Sequence, residues 1–273
     1  MTSSGDQPAR LGFRPELDGV RGLSIAAVFL FHARVPYATG GFLGVDVFFV
    51  LSGFLITALL LEEARDTGQI ALGRFYLRRA LRLLPAMGAV LVFVAFLPTF
   101  HVEAARHSTA IHRGILATAL YVVNWVEAFR MFRPYGTTHA WSLSIEEQFY
   151  IVWPLILIFA ARSRNLVRAI LVVAIIGIVL PIIARAYLWT GPRSVPRLYF
   201  GTDTRIDSIF WGALLATARH GKFIAKPILH SSAMSALYWL AAAMLLTAAY
   251  HLRRSGHAYY SLGIPFVGAS TAI

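Results

Sequence analysis

The 273 residues are 58% hydrophobic and only 14% charged, with a mean hydropathy of +0.64, which leaves too little polar surface to cover a water-soluble globule. The net charge of +12 is not a nucleic-acid footprint, because the cations sit in short clusters between apolar runs, where they set topology and meet anionic head groups or cytosolic phosphates. The chain has no cysteine, which excludes disulfides, thiolate catalysis and zinc–thiolate centres, and no metal site is expected.

The first twenty residues are polar and mixed in charge. No clear small-residue cleavage site follows the first apolar stretch, so the opening helix reads as a retained signal anchor. A membrane-crossing helix needs about 20 mostly apolar residues. Spans are expected near residues 20–35, 42–61, 83–100, 114–129, 143–161, 167–189, 206–218 and 234–250, and residues 263–273 begin an apolar stretch too short to cross. The expected fold is an all-α polytopic transmembrane helix bundle of about eight spans plus a partial ninth. It forms one domain over residues 1–273, incomplete at its C-terminus.

Orientation follows from arginine and lysine. The cluster Arg65, Arg74, Arg78, Arg79 and Arg82 belongs on the cytoplasmic side, which puts the N-terminus inside after two spans. Arg162, Arg164 and Arg168, and then Arg219, Lys222 and Lys226, belong inside too. Strict alternation through eight spans cannot place all three clusters there. A re-entrant or interfacial element, such as 114–129, is one way out of the conflict.

Ionisable groups inside membrane helices are costly and rank as functional candidates. In the first span Arg21 and His32 are eleven positions apart, so they share one helix face and lie about 16 Å from each other. They are too far apart to hydrogen-bond, yet they can contact two ends of one extended ligand. Asp18 falls near the same stripe. A snorkelling arginine and a packed histidine is the bland alternative. In the second span Asp46 is either the partner of a cation on another helix or a companion of the helix dipole, while Gly44 and Gly53 permit close helix approach. Arg78, Arg79 and Arg82 begin the third span, as anchors or as phosphate-binding forks. In HAWSLSIEEQFY, Glu146 and Glu147 sit just inside an apolar helix that Ser142 or Ser144 could cap. Capping needs only one acid, so a buried glutamate that pairs with a protonated histidine or accepts a hydroxyl proton is equally economical. Asp203, Arg205 and Asp207 enter a later helix and read as an internal ion pair.

Taken together, LDGVRG with His32 eleven residues after Arg21, GGFLGVDVFFVLSGFLI, RRALRLLP, HAWSLSIEEQFY and TDTRIDS run in order through residues 16–212. They resemble the acyltransferase 3 family of multi-spanning membrane O-acyltransferases. The resemblance implies an acyl-CoA donor, acetyl-CoA above all. It implies hydroxyl acceptors on glycans, glycosides or secondary metabolites, and residence in the cytoplasmic membrane. It makes His32 the catalytic histidine with Arg21 its companion, and gives the donor to Arg79 and Arg82, with Arg78 beside them. It marks Glu146 and Glu147 as functional carboxylates, with Asp18, Asp46, Trp141, Ser142, Tyr150 and Asp207 in support. Family domains run on for several further spans, and some carry an extracytoplasmic hydrolase-like domain, so this chain reads as a C-terminally truncated member.

These residues fit a donor held by its phosphates at the arginine cluster, with its flexible arm reaching His32. The histidine takes a proton from the acceptor hydroxyl, or takes the acyl group itself and hands it on. A carboxylate such as Glu146 would fix the imidazole tautomer. Two rival readings are a polytopic transporter or proton relay, which would spread its charges along a crossing path, and a non-catalytic scaffold whose charges pair among themselves.

Overall fold

The computed structural model describes residues 12, 14–221, 223, 232–252 and 256–272. Among these there is no β-strand, and the helices run α1 (Pro15–His32), α2 (Gly44–Thr67), α3 (Leu72–Phe100), α4 (Val102–Arg106), α5 (Ser108–Ala119), α6 (Val123–Ala128), α7 (Trp141–Ala160), α8 (Leu166–Leu188), α9 (Val195–Phe200), α10 (Asp207–His220), α11 (Ser232–His251) and α12 (Ile264–Ala272). Among the described residues, four helical segments are long and apolar enough to cross a membrane: Gly41–Thr67, Leu72–Phe100, Thr138–Ala160 and Leu166–Leu188. The helix α1 carries Glu16, Asp18 and Arg21 in its first two turns, and α10 has only 14 residues.

The expected span at 114–129 is not one helix. The chain turns at Tyr121, where φ is +54°, and splits the segment between α5 and α6. With α4, α5 and α6 all short, α3 and α7 are consecutive long helices, and the orientation conflict disappears. The loop after α2, the end of α7 and the start of α8 line one small cavity through Ala64, Gly68, Ala161 and Leu166. Gly221, just past α10, lies beside Val167 at the start of α8. Arg65 to Arg82, Arg162 to Arg168, and Arg219 therefore gather at one end of the bundle. Lys222 and Lys226 lie outside the described residues, as do residues 1–11 of the polar opening and Ile273.

Burial sorts the helices. The apolar window of α2 is 67% buried and that of α3 only 6%, so α2 is the interior helix and α3 leans against the outside. Large apolar side chains such as Leu81, Phe93 and Phe96 on α3, and Ile175, Leu180 and Ile183 on α8, point outward, as a lipid-facing surface requires. The helices α2 and α10 meet backbone to backbone. A Cβ placed on Gly53 would overlap the Ile209 carbonyl, and one on Gly212 would overlap that of Val50.

Buried charge locks this contact. Asp46 pairs with Arg205 at 2.9 Å and accepts hydrogen bonds from Ser208 and from Tyr259, the latter at 2.8 Å. Arg185 forks onto Asp207 at 2.9 and 2.7 Å and donates to the carbonyls of Thr204 and Tyr260. The expected pairing within Asp203, Arg205 and Asp207 is thus corrected: each reaches a different partner, Asp203 taking Arg197. Carboxylate and guanidinium so fully removed from solvent persist only when each finds the other and further donors.

Candidate active site

One face of α1 and one face of α2 run alongside each other and line two chambers. Arg14 just before α1 and the α1 positions 17, 18 and 21 face the first chamber, and 24, 25, 28, 29 and 32 face the second. On α2 the positions 52, 55, 56 and 59 face the first, and 44, 45 and 48 the second. Steps of three and four are one stripe of a helix, so the two chambers lie one after the other along the same α1–α2 seam. Arg21 and Phe48 stand between them, the guanidinium carbon 5.2 Å from the ring centre.

The first chamber, about 320 Å³, is lined by Arg21, Arg79 and Arg82, with Asp18, Ser52 and Tyr150. It lies toward the arginine-rich end of the bundle. Arg79 donates through Nε to Glu147 at 2.9 Å, and its guanidinium carbon sits over Tyr150, 3.3 Å from the ring centre. Ser52 donates to Glu146 at 3.1 Å. Arg82 has no ion-pair partner among the described residues. Arg78, expected to join this group, does not line the chamber and lies 3.9 Å from Glu63 with its side chain 63% exposed.

The second chamber, about 670 Å³, opens toward the other end. His32 lines it with Ser24, Phe48, Trp141 and Ser142, and so do Thr138, His139, Tyr199 and Phe200. The Nδ1 of His32 lies 2.8 Å from the Val28 carbonyl. A carbonyl only accepts, so Nδ1 carries the hydrogen and the neutral ring keeps its lone pair on Nε2. The expectation that Glu146 fixes the tautomer is corrected by this contact. Glu146 bonds Ser52 on the arginine side of the seam, and a main-chain carbonyl one turn back does the orienting. Ser142 and Ser144 do not cap α7 either. Its N-cap is Ala140, without a side-chain cap, and Ser144 donates back to the Ala140 carbonyl.

The remaining expected residues divide by role. Trp141 and Ser142 wall the histidine chamber, Tyr150 floors the arginine chamber, and Asp46 and Asp207 belong to the buried ionic lattice. That lattice backs the wall, because Arg205 lies 5.8 Å from the Trp141 ring and 5.1 Å from that of Tyr199. Sequence reasoning missed His139, Tyr199 and Gln148. Gln148 donates to the Tyr121 carbonyl and to Asn124, which in turn donates to the Phe200 carbonyl. No group of three or more histidine, cysteine, aspartate or glutamate side chains that could hold a metal occurs among the described residues.

The chain is 37% identical over 214 residues to the O-acetyltransferase OatA of Staphylococcus aureus, strains NCTC 8325 / PS 47 and COL, covering 75% of this chain and 34% of theirs. A protein of strain MSSA476 is 40% identical over 217 residues, 76% of this chain and 35% of its own. The chain thus spans about a third of the length of the curated relatives it matches. No solved structure matches it. The model of the family described as the acyltransferase domain matches residues 14–273, so this chain belongs to the acyltransferase 3 family.

Proposed function

We propose that the protein is a membrane O-acyltransferase that moves an acetyl group from an acyl-CoA to a hydroxyl of a carbohydrate or related envelope acceptor. The observation that carries this reading is the α1–α2 seam, along which a guanidinium-lined chamber and a histidine-lined one follow each other. Phosphates suit the first chamber, where Arg21, Arg79 and Arg82 outnumber Asp18 and charge-assisted hydrogen bonds are available. A thioester at the end of a long flexible arm suits the second, because the 11 residues from Arg21 to His32 span about 16 Å. There His32 presents Nε2, either to take the acceptor's proton or to take the acyl group itself. The names of the staphylococcal relatives support O-acetyl transfer. The arginine-rich end faces the cytoplasm in this reading, with the N-terminus inside and the histidine chamber toward the far side of a cell membrane.

The test is His32→Asn, which keeps one hydrogen-bonding atom near the Val28 carbonyl but removes the reactive nitrogen. Membranes carrying it are expected to lose transfer from radiolabelled acetyl-CoA by at least about 10³-fold, with normal insertion and amount. Wild-type turnover in this variant would overturn the reading.

A further inference from the structure

Two imidazoles face the larger chamber. His32 comes from α1, and His139 from the 3₁₀ turn Thr138–Ala140 that leads into α7. The backbone of that turn is tied down. Thr138 donates to Glu127 at 2.9 Å and to the Pro134 carbonyl, and the Ala140 amide donates to the Thr137 carbonyl. The His139 ring is not tied: among the described residues neither of its nitrogens has a hydrogen-bond partner. A histidine on a fixed backbone, with both nitrogens unspent and facing a cavity, is set up to meet something in that cavity.

The surroundings of His32 say what is missing. Its Nδ1–H is held by a neutral carbonyl, and no carboxylate is among the residues that line the chamber. With Nδ1–H fixed on that carbonyl, the ring presents the Nε2 lone pair to the chamber, where it can attack an acyl carbon. Once Nε2 bears an acyl group, however, the ring has no lone pair left to activate the acceptor, and a second base is required.

We infer that transfer is a double displacement in which His32 carries the acyl group and His139 is the general base for the acceptor hydroxyl; the inference rests on the acyltransferase reading of His32. In the first step Nε2 of His32 bonds the thioester carbonyl carbon, the C–S bond breaks, and the thiolate leaves an acyl-imidazolium whose Nδ1–H stays on Val28. In the second, His139 takes the hydroxyl proton as oxygen bonds the acyl carbon. The C–N bond breaks and its electron pair returns to Nε2. The proton on His139 passes to the departed thiolate, so the sum is thioester plus alcohol giving ester plus thiol.

The experiment uses the full chain, wild type or variant, in cells from which the native gene is deleted. Membranes are mixed with [¹⁴C]acetyl-CoA, rapidly quenched, and counted for label on the chain. Alkali-released acetate from the cells' envelope glycans measures completed transfer. The expectation for His139→Asn and His139→Gln is that released acetate falls by at least about 100-fold, while label on the chain rises above wild type. His32→Asn is expected to abolish both. If the His139 variants lose chain label together with product, or if both keep wild-type product, the assignment of His139 is overturned. Wild-type transfer in His32→Asn would instead sink the reading beneath it, so the two failures are told apart.

Discussion

At the scale of single residues, the three neighbouring arginines of α3 separate by what each already touches. Arg79 is spent on Glu147 and Tyr150, so its removal strands a buried carboxylate and confounds binding with stability. Arg82 lines the chamber with no ion pair to lose. Arg82→Ala is therefore expected to raise the donor KM by about 10- to 100-fold, the value of one or two charge-assisted hydrogen bonds, with melting in detergent unchanged. Arg78→Ala is expected to leave KM alone. A KM that moves equally in both variants would reduce the chamber to a diffuse basic surface. The Arg21–His32 pair was legible in the sequence because a helix converts spacing into a shared face. The identity of the imidazole's partner was not, since a main-chain carbonyl carries no mark in the sequence. His139 stayed hidden for a different reason: it sits in a 3₁₀ turn, where no periodicity singles out a side chain.

At the scale of helices, the glycines and the buried charges do one job, which is to hold α2 against α10. Gly53 and Gly212 remove the side chains that would keep the backbones apart, and Asp46 and Arg205 bridge the contact so formed. Gly53→Ala forces a methyl group into the Ile209 carbonyl, and the helices cannot separate without breaking the Asp46–Arg205 pair. The expected loss is about 1–3 kcal/mol, read as a lower midpoint in thermal or denaturant unfolding in detergent. The equivalent change at Gly88, which has open space around its Cβ position, is expected to leave the midpoint unchanged. Equal midpoints for the two variants would mean that the close approach is not tight in solution. The role of Gly53 was legible as a glycine inside an apolar span; that of Gly212 was not singled out. The partners of Asp46 were not, because its tyrosine lies 213 positions away along the chain, and local spacing is silent about contacts made between distant helices.

At the scale of the molecule, the cationic clusters gather at one end of the bundle, and the proposed orientation puts that end in the cytoplasm. Counting every apolar run as a crossing forces the clusters onto opposite sides, whereas the short helices α4, α5 and α6 return the chain to α7 without crossing. Apolar length is a fair signal for a crossing helix, but 114–129 has that length with a turn at Tyr121 in its middle, and a hydropathy window does not register a change of backbone direction. The arrangement makes a prediction that the cysteine-free sequence renders simple to test. Single cysteines at Gly68, Ser163 and Met131 sit in loops at the two ends, the first two at the arginine-rich end and the third between α6 and α7. In intact cells a membrane-impermeant maleimide is expected to label Met131→Cys and to spare Gly68→Cys and Ser163→Cys, with the reverse in inside-out vesicles. If Gly68→Cys and Ser163→Cys reacted from opposite faces, α3 and α7 would not be consecutive crossings. The arginine chamber would then lose its claim to a cytosolic donor.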